Sequence, residues 1–121
     1  FCCSPYRESP KEFIRLYDEQ EEVSRAMGRL NLENDVNDDT IYISSLPWLR
    51  FTGPVVNPLP DARDSIPRVV WGKYSGPADN LSLSVSLQMH HAVADGYDAY
   101  LFYSALQELV DSPEKTFAEL L

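Results

Sequence analysis

Leu81-Ser82-Leu83-Ser84-Val85-Ser86-Leu87-Gln88-Met89 alternates without exception, its leucines, valine and methionine on one side and its serines and glutamine on the other. A period of two predicts a strand over residues 81–89, with the apolar side packed and the other side facing small polar neighbours. After His90-His91-Ala92-Val93-Ala94-Asp95-Gly96 the period turns helical, and Leu101, Phe102, Ala105, Leu106, Leu109 and Val110 form one apolar stripe. Both histidines of the chain lie in this strand-to-helix junction.

Upstream, Arg68 to Tyr74 is a second β-rich run, separated from the first by the turn-rich Ser75-Gly76-Pro77-Ala78-Asp79-Asn80, which predicts an antiparallel hairpin. Ile41 to Ser45 and Leu49 to Val56 read as further strands, bounded by Gly and Pro. Asn57 to Pro67, with three prolines and two aspartates, suits a surface loop, and Asn31 to Asp39 an acidic one. Ser9-Pro10-Lys11-Glu12 predicts a helix start, with Ser9 as N-cap, Pro10 at the first helical position and Glu12 completing a capping box. Phe13, Leu16, Tyr17, Val23, Met27 and Leu30 extend that helix to about residue 30, with Glu19, Glu21, Glu22 and Arg25 toward solvent. Residues 1 to 6 read as the tail of a strand, and Ser112-Pro113 restarts a short helix through Phe117 and Leu120. The order predicts an α+β fold, with helices packed on one face of a mixed or antiparallel sheet.

With 121 residues, 44% of them hydrophobic, the chain is expected to be one domain with one core. A formal charge of −9 disfavours nucleic acid as a partner, because tracking a phosphate backbone requires a cationic surface. No apolar run is long enough for a bilayer and FCCSPYRESP lacks the regions of a secretory signal, so no membrane is expected and the cytosol is the expected compartment. Cys2 and Cys3 are neighbours, and a disulfide between them would close a strained ring. A start at Phe1, followed by the Cys-Cys pair, reads as a piece of something longer.

Histidine is the side chain best suited to take and return a proton near neutral pH, and a strand-to-helix junction presents it on a rigid scaffold. Asp95 is placed to hold the turn after His91, and Gly96 to relax its backbone. Taken alone, a His-His pair at a strand end is more often a capping or core-edge feature. Zinc is not expected, because adjacent histidines on extended chain point to opposite sides and the only thiols are terminal.

His90 to Gly96 spells HHxxxDG, and the longer string from Leu87 to Tyr97 resembles the catalytic stretch of the chloramphenicol acetyltransferase family, within the coenzyme A-dependent acyltransferases. Ser44-Ser45-Leu46-Pro47-Trp48, followed by Phe51-Thr52, is similar to that family's Ser-x-x-Pro-Trp block, and Gly72-Lys73-Tyr74 to a Lys-Tyr pair in its hairpin. The three blocks keep the family's order. The resemblance covers nearly the whole chain and implies the C-terminal half of a single acyltransferase domain.

The resemblance implies an O-acetyltransferase using acetyl-CoA as co-substrate and a small-molecule hydroxyl acceptor. His91 would be the general base and Ser44 the donor to the oxyanion, the kind of pre-aimed group that supplies the largest share of acyl-transfer catalysis. Asp95 would be structural, pairing with an arginine and shaping the turn. Trp48 would line the site region, and Lys73 and Tyr74 would lie near the coenzyme's phosphate and adenine. A homotrimer with active sites between subunits is implied as well. Asp98 stands where the family often has another histidine. Two other readings remain open: a dihydrolipoamide acyltransferase domain, which shares an H-x-x-x-D-G motif, and a non-catalytic binding or scaffold module of the same fold.

Overall fold

The computed structural model describes residues 2–28, 39–56, 61, 63–118 and 120. Along the chain these form α1 (Pro10–Met27), β1 (Tyr42–Ser45), β2 (Arg68–Ser75), β3 (Ser82–Gln88), α2 (Gly96–Asp111) and α3 (Pro113–Phe117). They gather into two compact units, one of Phe1–Asn37 with Phe102–Leu121 and one of Asp38–Leu101. The architecture is α+β with a mixed sheet, as the residue pattern predicts.

In the first unit, α1 begins where the capping signal puts it. Ser9 is extended (φ −79°, ψ 119°) and its Oγ accepts the Glu12 N–H at 3.4 Å, while Pro10 opens the first turn. The carboxylate of Glu12 does not close the box; it faces Arg7 at 3.6 Å. The helix stops at Met27 because Gly28 turns left-handed at φ 60°, its N–H bonding the Arg25 carbonyl at 3.2 Å. Leu30 and the acidic loop over residues 31–38 lie outside the described residues. Two exposed i,i+4 pairs, Arg15–Glu19 and Glu21–Arg25, add about 0.3–0.5 kcal/mol each.

Residues 2–7 are not strand, contrary to the reading of residues 1 to 6. The Cys2 Sγ instead reaches the Tyr17 carbonyl at 3.8 Å, and no ladder partner is present among the described residues. Both cysteines are free thiols, and burial, followed by Glu21, pushes the Cys2 thiol above its ordinary value. α3 meets α1, although Ser112 makes no side-chain cap bond. No helix among the described residues is long and apolar enough to cross a membrane.

The second unit is a three-stranded sheet in the order β1-β2-β3. β1 runs parallel to β2 with Tyr42 opposite Arg68 and Ser44 opposite Val70. β2 runs antiparallel to β3 with Arg68 opposite Gln88 and Val70 opposite Ser86, and the register shifts between Trp71 and Tyr74. Since paired residues share a face, Tyr42, Ser44, Arg68, Val70, Ser86 and Gln88 lie on one side and Ile43, Val69, Trp71, Val85 and Leu87 on the other.

Leu49 to Val56 is the clearest departure from the sequence reading, for this segment is not a strand. Pro47 and Trp48 form a turn closed by the Leu49 N–H on the Leu46 carbonyl at 2.9 Å. From there the chain crosses the sheet instead of running along it. The Leu49 carbonyl accepts the Lys73 N–H on β2 at 2.7 Å, whereas Val55 bonds Ser86 on β3. Pro54 has no N–H to give a ladder.

That crossing also changes which face is buried. Ser86, expected on the polar side, is 5% exposed because its Oγ accepts the Val55 N–H at 2.9 Å and donates to the Val55 carbonyl at 3.2 Å. Leu81 and Leu83, expected to pack, are 59% and 41% exposed. Gly72 accommodates the same crossing: a Cβ there would stand 2.8 Å from the Leu49 carbonyl oxygen and 2.9 Å from the Phe51 ring, so only glycine fits.

Candidate active site

His90 and His91 leave the end of β3 into a turn whose hydrogen bonds assign the two rings opposite tautomers. The Ala92 N–H donates to His90 Nδ1 at 3.1 Å, so that nitrogen is bare and the proton of the neutral ring sits on Nε2. His91 Nδ1 stands 3.2 Å from the Ala94 carbonyl. A carbonyl only accepts, so Nδ1 of His91 carries the proton and its Nε2 keeps a lone pair. His91 is exposed and His90 half-buried.

Asp95 is the N-cap of α2. Its Oδ1 accepts the Tyr97 N–H at 2.7 Å and the Asp98 N–H at 3.4 Å, and the Asp98 carboxylate accepts the Asp95 N–H at 2.8 Å. The reciprocal pair is a capping box with aspartate at its third position, and both carboxylates favour the positive end of the helix. No arginine pairs with Asp95 among the described residues.

Ser44 lies exposed on β1, across β2 from the strand that leads to His91. At a strand spacing of about 4.8 Å, the two flanking strands are about 10 Å apart before any offset along them. Within one chain no hydrogen bond joins Ser44 to His91 among the described residues. Trp48, Lys73 and Tyr74 gather at the far end of the sheet, Trp48 next to the residue whose carbonyl holds the Lys73 N–H. Trp48 is 72% and Tyr74 68% exposed, and Lys73 is exposed too. Arg68, opposite Gln88, marks the His91 end of β2, and the rise from there to Tyr74 is about 20 Å at about 3.3 Å per residue.

Arg68 is a charged group that composition gave no reason to place inside. Its guanidinium is held by both carboxylate oxygens of Asp64, at 3.2 and 2.6 Å, and by the Ile66 carbonyl at 2.9 Å, and it lies 5.3 Å above the Tyr42 ring. Both side chains of the pair are about nine-tenths buried, at 9% and 11% exposure. Arg68 hydrogen bonds, chiefly, hold the Asp64 carboxyl below the ordinary carboxylate value. For a depressed acid, the contribution to stability is intact above the unfolded-state value of about 3.9 and drains away as pH falls from there through the lower folded value. Acid unfolding should therefore separate wild type from Asp64→Asn most widely near neutrality, with the gap closing below about pH 4. A gap that stayed constant down the acid limb would show that the pair carries no linkage.

A sequence model of the chloramphenicol acetyltransferase family matches residues 1–107. This chain belongs to that family. It is 34% identical over 110 residues to a chloramphenicol acetyltransferase of Staphylococcus aureus, covering 91% of this chain and 51% of the relative. It is 32% identical over 112 residues to the chloramphenicol acetyltransferase of Clostridium butyricum, covering 90% and 51%. To chloramphenicol acetyltransferase 3 of Escherichia coli it is 31% identical over 111 residues, covering 92% and 52%. The chain spans about half the length of the curated relatives it matches.

Within that family frame, the chain carries features that its motifs alone do not disclose. The Asp64–Arg68 pair has only an i,i+4 spacing ahead of a strand as its signal. The Asp95–Asp98 box was open to view as an acid three residues beyond a cap. The role of the His90 ring had no signal in residue order, because it depends on the backbone conformation of the turn.

Proposed function

We propose that the chain supplies the base and the oxyanion donor of an acetyl-CoA-dependent O-acetyltransferase acting on a small-molecule hydroxyl compound. The observation that carries this reading is the tautomer of His91, whose protonated Nδ1 is engaged by Ala94 and whose Nε2 lone pair is left to act. Nε2 takes the proton from the acceptor hydroxyl as its oxygen attacks the thioester carbonyl. The negative charge that collects on the carbonyl oxygen is met by the Ser44 hydroxyl. Collapse breaks the carbon–sulfur bond, and the leaving thiolate recovers the proton from Nε2, giving an acetyl ester and free coenzyme thiol.

The exposed Lys73, Tyr74 and Trp48 suit the far end of the donor: an ammonium for phosphate and flat rings for an adenine. Their distance of about 20 Å from the His91 end of the sheet favours a long, extended donor. Asp95 acts on His91 indirectly, by fixing where α2 starts. The names of the relatives point to chloramphenicol as an acceptor.

Ser44 and His91 stand on opposite sides of β2. A hydroxyl that bonds the oxyanion has to lie within a few ångströms of the reacting carbonyl, so we assign the working pair to two copies, Ser44 of one facing His91 of the next; that the copies form a homotrimer is what the family resemblance implies. The test is release of free thiol from acetyl-CoA in the presence of chloramphenicol and other small hydroxyl acceptors. The full-length protein should release thiol only with an acceptor present, and the 121-residue chain alone little or none. Thiol release independent of any acceptor, or none from the full-length protein, would defeat the proposal.

A further inference from the structure

We infer that His90 is a positioning residue, which sets the tautomer of its neighbour His91 by holding the turn between them. The inference rests on the acetyl-transfer reading for its kinetic consequence only. Residue 90 gathers three successive backbone N–H groups: its ring takes that of Ala92 at 3.1 Å, and its carbonyl takes those of Val93 at 3.0 Å and Ala94 at 3.2 Å. These bonds curl the chain until the Ala94 carbonyl comes back to His91 Nδ1. The carbonyl is common to any residue at this place, whereas the ring acceptor is particular to histidine and a few others.

A bare Nδ1 on His90 thus adds a side-chain bond to the turn that brings the Ala94 carbonyl to Nδ1 of His91. Neutral imidazole in solution favours the opposite form, with its proton on Nε2, so the base nitrogen of His91 is exposed only while the turn stands. Asparagine would serve in place of His90, since its Oδ1 sits where Nδ1 does and commonly accepts an N–H two residues on. Phenylalanine would fill the volume of the ring and offer no acceptor.

Two measurements test this. With histidine labelled in nitrogen-15, long-range proton–nitrogen correlation at a pH where both rings are neutral reads each tautomer in the chain. Wild type should show the proton on Nε2 of His90 and on Nδ1 of His91. His90→Asn should keep the His91 form, and His90→Phe should move most of it to the Nε2-protonated form. In the full-length protein, His90→Phe should lower kcat about 10- to 100-fold, as the active fraction of the base falls. KM for acetyl-CoA should stay within about twofold, because the donor-end residues are untouched, and His90→Asn should remain close to wild type. A wild-type His90 protonated on Nδ1, a His91 tautomer indifferent to His90→Phe, or an asparagine variant as impaired as the phenylalanine one would each overturn the inference. Tautomers that behave as stated in a full-length protein releasing no thiol would remove the acetyl-transfer reading and leave the positioning role standing.

Discussion

His91→Gln in the full-length protein should lower the rate of acetyl transfer by about 10²- to 10⁴-fold, the usual contribution of a positioned general base. Glutamine keeps polar atoms of similar reach, but its carboxamide has no basic nitrogen, so the acceptor hydroxyl must lose its proton unaided. The loss should appear in kcat, with KM for acetyl-CoA changed less than about threefold, since the imidazole lies at the other end of the sheet from Lys73 and Tyr74. The two histidines differ in their hydrogen bonds, and on the proposed reading only His91 has the tautomer that leaves Nε2 as a base. A variant that retained more than a tenth of wild-type kcat would remove proton abstraction by His91 from the mechanism.

Ser44→Ala should cost about 10²- to 10³-fold in kcat, the measured scale for removing one oxyanion donor. The position of Ser44 on the strand edge away from His91 makes a further outcome diagnostic. When the two inactive variants, His91→Gln and Ser44→Ala, are assembled together, some interfaces pair an intact histidine from one copy with an intact serine from another. Activity should return in those mixtures to a measurable fraction of wild type. If both residues served the same copy, mixing would restore nothing, and the assignment of the site to two copies would fall.

Two local patterns in the chain were faithful guides to its secondary structure. The unbroken alternation of residues 81–89 and the turn-rich spacer before it led to the β2–β3 hairpin, because pairing, turn and periodicity there are neighbours in sequence. The start of α1 was legible for the same reason, since Ser9, Pro10 and the Glu12 N–H interact within one turn. Long-range contacts were not legible. Nothing in residues 49–56 signals that they cross the sheet to reach Ser86, and their aromatic and β-branched content argued for a strand instead. The burial of Arg68 followed from a partner four residues upstream and an aromatic ring on another strand, a combination that no window of sequence displays.

The site divides along the same line. His91, Ser44 and Asp95 stand out by type and motif. The hydrogen bonds that assign the two imidazoles their tautomers depend on backbone angles within a single turn, and side-chain identity does not report them. Asp98 illustrates the intermediate case, since an acid in that place looks like an odd charge until the helix start is known, and then reads as half of a cap.

The parallel pairing of β1 with β2 has a bearing on how the chain assembles. Antiparallel β2 and β3 are close in sequence, with only 76–81 between them, whereas parallel β1 and β2 are separated by the longer stretch 46–67. Closing the longer loop carries the greater entropic penalty and is rewarded late, so the hairpin is the natural nucleus and β1 docks onto a preformed edge. The turn that carries His91 at the end of β3 thus forms early, and Ser44 on β1 arrives last.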